Sequence, residues 1–110
     1  AKAFNPDVVA ISAGFDAHQY DLLLQLRLSN HAFYKIGKLL TQNFENLFGT
    51  LEGGYNVEEL KKCLFNFVNG INGDPILYND SPTESDIKIW DAYDWRIQEL
   101  LITMKKYWNI

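Results

Sequence analysis

The stretch Pro6–His18, PDVVAISAGFDAH, decides how the rest of the chain is read. Asp7-Val8-Val9-Ala10-Ile11-Ser12 is a continuous apolar run rather than an alternating one, which is the pattern of a parallel strand covered on both faces. A strand that merely stops can end in any turn. This one ends in Ser12-Ala13-Gly14, small residues that let backbone approach another group, then in an aromatic, then in Asp16, with His18 two positions further on. Such an ending suits the presentation of a carboxylate at the edge of a sheet.

Downstream the spacing changes. Phe33, Ile36, Leu40 and Phe44 recur at helical intervals, and Ser29 or Asn30 is available as the N-cap. Asn46–Glu52 predicts a second short strand, weakened by Gly49, which runs into Gly53-Gly54. Asn56, with Glu59 three residues on, resembles a capping box and opens a helix through Leu60, Leu64, Phe67 and Ile71. The order strand, helix, strand, helix predicts an α/β unit of two parallel strands joined by a right-handed crossover. Asn69–Ser85, dense in Asn, Gly, Pro, Asp and Ser, reads as a connection. Thr83 with Asp86 offers a cap for a third helix. Its Ile87, Trp90, Tyr93 or Asp94, Ile97, Leu101, Met104 and Trp108 step along one face, which is expected to cover a core.

Composition narrows the function classes. With 110 residues, 47% hydrophobic and 22% charged, the chain is globular and holds one domain at most. A net charge of -4 supplies no basic field for phosphate backbones, so direct nucleic-acid binding is not expected. No apolar run approaches the ~20 residues that cross a bilayer, so no membrane role is expected. The single cysteine, Cys63, forms no internal disulfide, and the chain opens on no secretory signal pattern, which makes a reducing, cytoplasmic setting the expectation. Cys63 falls inside the second helix and reads as a small core residue.

Parallel strands that are neighbours end on one edge, so Asp16 after the first strand and Tyr55 after the second face one crevice, the place where open α/β sheets bind ligands. Alone, an Asp after a strand is ordinarily a turn former or helix cap, and a Tyr beside a glycine pair is ordinarily a packing residue. Together with Gly53 and Gly54 they suggest a site with one anionic ligand or base and one neutral hydrogen-bond donor. GTLEGGYN has neither the Lys-Ser/Thr of a nucleotide P-loop nor the G-x-G-x-x-G of a dinucleotide site.

PDVVAISAGFDAH, followed by a helix and then LEGGYN, resembles the C-terminal part of the zinc-dependent histone deacetylase superfamily, which includes acetoin-utilisation proteins and acetylpolyamine amidohydrolases. The resemblance covers roughly residues 4 to 75. It implies an arginase-like α/β fold, a larger parallel sheet flanked by helices, of which this chain holds the last two strands and about three helices. Residues 1–75 would be the C-terminal part of the deacetylase-like domain, and residues 76–110 a loop and an amphipathic helix packing on it. By the same resemblance Asp16 is a ligand of the catalytic Zn²⁺, Tyr55 hydrogen-bonds the substrate carbonyl, and Gly53 and Gly54 shape the loop beside the acyl-lysine channel. A metal that polarises an amide carbonyl and acidifies a bound water addresses both halves of amide hydrolysis, and a phenol, neutral at physiological pH, suits the donor to a developing oxyanion.

The departures are specific. A catalytic zinc takes about three protein ligands, and the superfamily's upstream Asp-x-His pair and tandem histidines do not occur here. D-A-H at 16–18 imitates a two-ligand pair, but in the resembled motif only the Asp ligates. His31, near a helix start, reads as exposed or capping. Leu22 stands where the superfamily often has proline after the aspartate, and Asp21 either orients the loop through backbone hydrogen bonds or is solvated.

The leading expectation is a C-terminal portion of a zinc-dependent deacetylase acting on acetylated lysine, a polyamine or a small metabolite, inactive alone and prone to self-association through an open sheet edge. The rival is a non-catalytic α/β interaction or acyl-ligand-binding module.

Overall fold

The computed structural model describes residues 4–109. Five elements follow in order: β1 (Val9–Ala13), α1 (Asn30–Thr41), β2 (Leu47–Leu51), α2 (Val57–Asn72) and α3 (Ile87–Met104). Asp7–Thr83 forms one compact unit, and residues 84–109, with residues 4–6, form another. In the second unit, α3 is capped by Asp86, whose carboxylate accepts the Lys88 N–H, and Phe4 meets Trp108 edge-on with ring centroids 6.4 Å apart.

In the first unit β1 and β2 pair in parallel, Val9 opposite Leu47 through Ala13 opposite Leu51, with α1 as the crossover. The local signals behave as local chemistry dictates. The Ser29 hydroxyl accepts the Ala32 N–H at 3.3 Å and starts α1. The Asn56 side-chain Oδ1 accepts the Glu59 N–H at 3.3 Å and starts α2. The capping box is only half made, because the Glu59 carboxylate turns to Lys62 and Asn30 instead of returning to the Asn56 N–H.

Phe15, Phe33, Cys63 and Phe67 form the core, with Ile11 and Ala13 of β1 and Leu40, Leu60, Leu64 and Ile71 of the helices packed around it. Each buried Phe contributes roughly 2 to 3 kcal/mol of transfer free energy. Phe15 also makes tilted and edge-on ring contacts with Phe33 and Phe67, centroids 5.2 and 5.7 Å away. The helices cross backbone to backbone. A Cβ on Gly37 would strike the Phe67 carbonyl, and one on Gly70 the Tyr34 carbonyl, so two glycines make the crossing.

Within this stretch of chain β1 is covered on one face: burial alternates along it, with Ile11 and Ala13 turned to the helices and Ala10 and Ser12 exposed. Both helices of this unit lie against one face of the sheet, and a continuous apolar run does not say which of its faces is covered.

Candidate functional site

The carboxyl ends of β1 and β2 are sewn together beyond the last ladder pair. Glu52 N–H donates to the Ala13 carbonyl at 3.0 Å, and Phe15 N–H to the Gly53 carbonyl at 2.8 Å. Phe15, 2% exposed, anchors the loop in the core, and its neighbour Asp16 is thereby turned outward, half-buried, against the other loop. The Asp16 carboxylate lies over the Gly53 backbone, where any side chain would collide with it. Gly54 follows with φ +135°, a backbone conformation that L side chains rarely adopt, and a Cβ there would come within 2.8 Å of Leu60 and 3.3 Å of Phe15. The glycine pair thus lets the second loop pass beneath the carboxylate and emerge at Tyr55, which is exposed.

Two further bonds join the loops. Asp21 accepts the Tyr55 N–H at 2.8 Å, and the Asn56 side-chain amide donates to the Tyr20 carbonyl at 2.8 Å. Asp21 also accepts from Leu23 and Leu24 N–H, at 2.8 and 3.2 Å, so of the two readings open at this position the loop-orienting one describes the structure. Partial desolvation pushes the Asp21 carboxyl up. The N–H groups of Tyr55, Leu23 and Leu24 outweigh it and hold its pKa below the usual carboxylate value.

His18 goes elsewhere. It is 1% exposed, edge-on to Tyr20 and tilted against Phe33, and its Nδ1 accepts the Tyr20 N–H at 3.3 Å. Its Nε2 lies 3.8 Å from a Glu59 oxygen and 3.7 Å from an Asp80 oxygen, without a hydrogen bond. An imidazole that accepts at Nδ1 carries its proton on Nε2 when neutral, so it offers no lone pair there to a metal. D-A-H is therefore not a ligand pair. His31, half-buried in the first turn of α1, donates its N–H to Asp80 at 3.4 Å, and Asp80 also accepts the Asn30 N–H at 2.8 Å.

Sequence reasoning missed this second polar cluster. Asn30, Glu59, Asp80, Lys62 and Tyr78 line a recess of about 350 Å³, and two of them, Glu59 and Asp80, are the carboxylates near His18 Nε2. Burial pushes the Glu59 carboxyl up, but hydrogen bonds from Lys62 and Asn30 outweigh it and hold it low. Cys63 is fully buried, its thiol donating to Asn30 Oδ1 at 3.2 Å, and desolvation reinforced by Glu59 and Asp80 pushes its pKa up to about 12. Only an apolar stripe broken by Asn66, together with an Asn opening a helix, hinted at the cluster in the sequence.

The Asp16 carboxylate sits at the sheet edge and receives no hydrogen bond among the described residues, so its oxygens keep lone pairs for a cation. Among the described residues no group of three or more His, Cys, Asp or Glu side chains is placed to hold a metal. A catalytic zinc takes about three protein ligands, and among the described residues the Asp16 carboxylate stands without a second and third donor beside it.

Comparison with known proteins identifies the family and the fold. The histone deacetylase domain family matches residues 1–71. The chain is similar to a probable deacetylase of Methanothermobacter thermautotrophicus, 36% identical over 73 residues, which are 66% of this chain and 22% of that protein. In three dimensions it is similar to the histone deacetylase Clr3, with TM-score 0.64 and 28% identity over 74% of this chain and 14% of that one. It is also similar to an acetylpolyamine aminohydrolase from Burkholderia pseudomallei, with TM-score 0.57 and 28% identity over 63% of this chain and 20% of that one. The two parallel strands and their helices are a portion of the arginase/deacetylase-type α/β fold, and the chain belongs to the histone deacetylase family.

Proposed function

We propose that the protein carrying this chain is a zinc-dependent amidohydrolase that removes acetyl from a lysine side chain, a polyamine or a small amine metabolite, and that the 110-residue stretch alone is inactive. The observation that supports this most is the joining of the Asp16 and Tyr55 loops at adjacent strand ends, with the Asp16 carboxylate seated on Gly53. Zinc, when bound, supplies Lewis-acid polarisation of the amide carbonyl and an acidified water.

The chain's own contribution is position and a proton donor. Asp16 would be one of the ligands, held in place because Phe15 is fixed in the core beside it. Tyr55 would donate its phenolic hydrogen to the carbonyl oxygen as negative charge builds on it, an interaction stronger in the transition state than in the ground state. Gly53 would let the Asp16 carboxylate sit against the loop, and Gly54 would let that loop lie close on Leu60 and Phe15, shaping the wall beside the acyl chain. Acetyl release by the whole protein from an acetyl-lysine peptide and from an acetylpolyamine, before and after chelation and zinc restoration, tests the reading. Hydrolysis that survives complete zinc removal overturns it.

A further inference from the structure

The Tyr55 side chain is 51% exposed, so packing alone does little to fix where its phenol points. It follows Gly54 at φ +135° and Gly53, the two residues least able to hold a loop by themselves. Its position depends on what grips the backbone. The Gly53 carbonyl is gripped by Phe15 N–H, and the Tyr55 N–H is gripped by Asp21 from 34 residues away. The two Asp21 oxygens divide the work: Oδ1 accepts Leu23 and Leu24 N–H and orders its own loop, while Oδ2 accepts Tyr55 N–H and orders the other.

We propose that Asp21 is a positioning residue for Tyr55, its carboxylate bridging the two strand-end loops so that the phenol is held where the reaction needs it. This rests on Tyr55 being the donor to the substrate carbonyl. It requires a group with two acceptor oxygens at position 21. An amide cannot serve, because Asp21→Asn sets an NH₂ against either the Tyr55 N–H or the Leu23 and Leu24 N–H groups, donor facing donor.

The test uses the zinc-loaded whole protein with Asp21→Asn, Tyr55→Phe and the double variant. Asp21→Asn should lower kcat by ~10- to 100-fold, the scale of a small misplacement of a catalytic group, with KM and zinc content little changed. Hydrogen exchange of the Tyr55 amide should quicken. The double variant should be no slower than Tyr55→Phe alone, because a phenol that is absent gains nothing from being placed. If Asp21→Asn does not fold, Asp21→Glu keeps the charge and moves it by one methylene, and should lower kcat with zinc retained. Unchanged kcat in the folded variant, additive losses in the double variant, or a loss that follows zinc content overturns the positioning role while Tyr55→Phe stays impaired. A fully active Tyr55→Phe would instead overturn the donor role, and the positioning role with it.

Discussion

Asn66 and Tyr78 exchange a reciprocal pair of hydrogen bonds: the Asn66 amide donates to the Tyr78 carbonyl at 2.6 Å and accepts the Tyr78 N–H at 2.9 Å. The same side chain accepts the Leu77 N–H at 3.2 Å and donates to the Asn30 carbonyl at 3.0 Å, with no exposure of its own. One amide therefore gives the segment after α2 the edge contact a strand would give, and joins it to the first turn of α1. Asn66→Leu keeps the branched shape of the side chain but leaves the partly buried Leu77 and Tyr78 backbone groups without this partner, each costing about 1 to 3 kcal/mol. Destabilisation on the order of 3 kcal/mol is expected in urea denaturation of the folded protein. A change below about 1 kcal/mol would show that these groups find water.

Acid sensitivity follows from the loop bridge. The Asp21 carboxyl is held below its ordinary value, so the folded state binds its proton less readily than the unfolded chain does. Its contribution to stability is complete above the unfolded carboxylate value of ~3.9 and is lost as pH falls through the lower folded value. Glu59, also held low, adds to the same limb. Thermal melts taken between pH ~2 and ~6 should show stability falling at the acid end, and falling less steeply in Asp21→Asn. Parallel acid limbs in the two proteins would contradict this.

Cys63 should be inert while the protein is folded. A thiol with no exposure, a pKa pushed up to about 12 and a hydrogen bond to Asn30 presents almost no thiolate at neutral pH. An aromatic disulfide reagent should label it only at the rate of unfolding, and promptly in denaturant. Rapid stoichiometric labelling under native conditions would mean that α2 opens locally on that timescale.

What the sequence carried was whatever depends on near neighbours. Ser29 and Asn56 were legible as caps because a side chain reaching two or three residues onward needs no tertiary information, and the strand-end motifs announced themselves through glycine and aspartate in order. The remaining features rest on partners far away in the chain. Asp21 meets Tyr55 across 34 positions, and Asn30 meets Asp80 across 50. Thr83, read as a helix cap, spends its hydroxyl on the Arg27 carbonyl, and Asp86 does the capping. His18 is the sharpest case. Spacing allowed it to sit beside Asp16 or to turn away, and burial beside Phe33 decides for the second.

The isolated 110-residue chain should self-associate. Among the described residues its sheet has two strands, which leaves each an outer edge, and the face away from the helices exposes Val8 and Phe48, each more than half accessible. Sedimentation across a hundredfold range of concentration should show growing mass, and melts should shift with concentration. A strict monomer melting sharply above ~65 °C would show that this surface needs no cover.

The two strand-end residues should fail in different ways. In the whole protein, Asp16→Asn removes a charged metal ligand, so zinc content should fall and turnover should vanish, with partial return when zinc is supplied in excess. Tyr55→Phe removes only a donor, leaves the Gly53 and Asp21 contacts to the backbone intact, and should keep zinc while kcat drops ~10²- to 10³-fold. Steady-state hydrolysis of an acetyl-lysine peptide and an acetylpolyamine, with metal measured for each variant, separates the two. Excess zinc should rescue the first loss and not the second, because the donor missing in Tyr55→Phe acts on the substrate oxygen and has no part in holding the metal. Full kcat in Tyr55→Phe on every substrate cleaved would return Tyr55 to a packing residue at a glycine turn, and full zinc occupancy in Asp16→Asn would mean that the carboxylate seated on Gly53 serves the loop and not the metal.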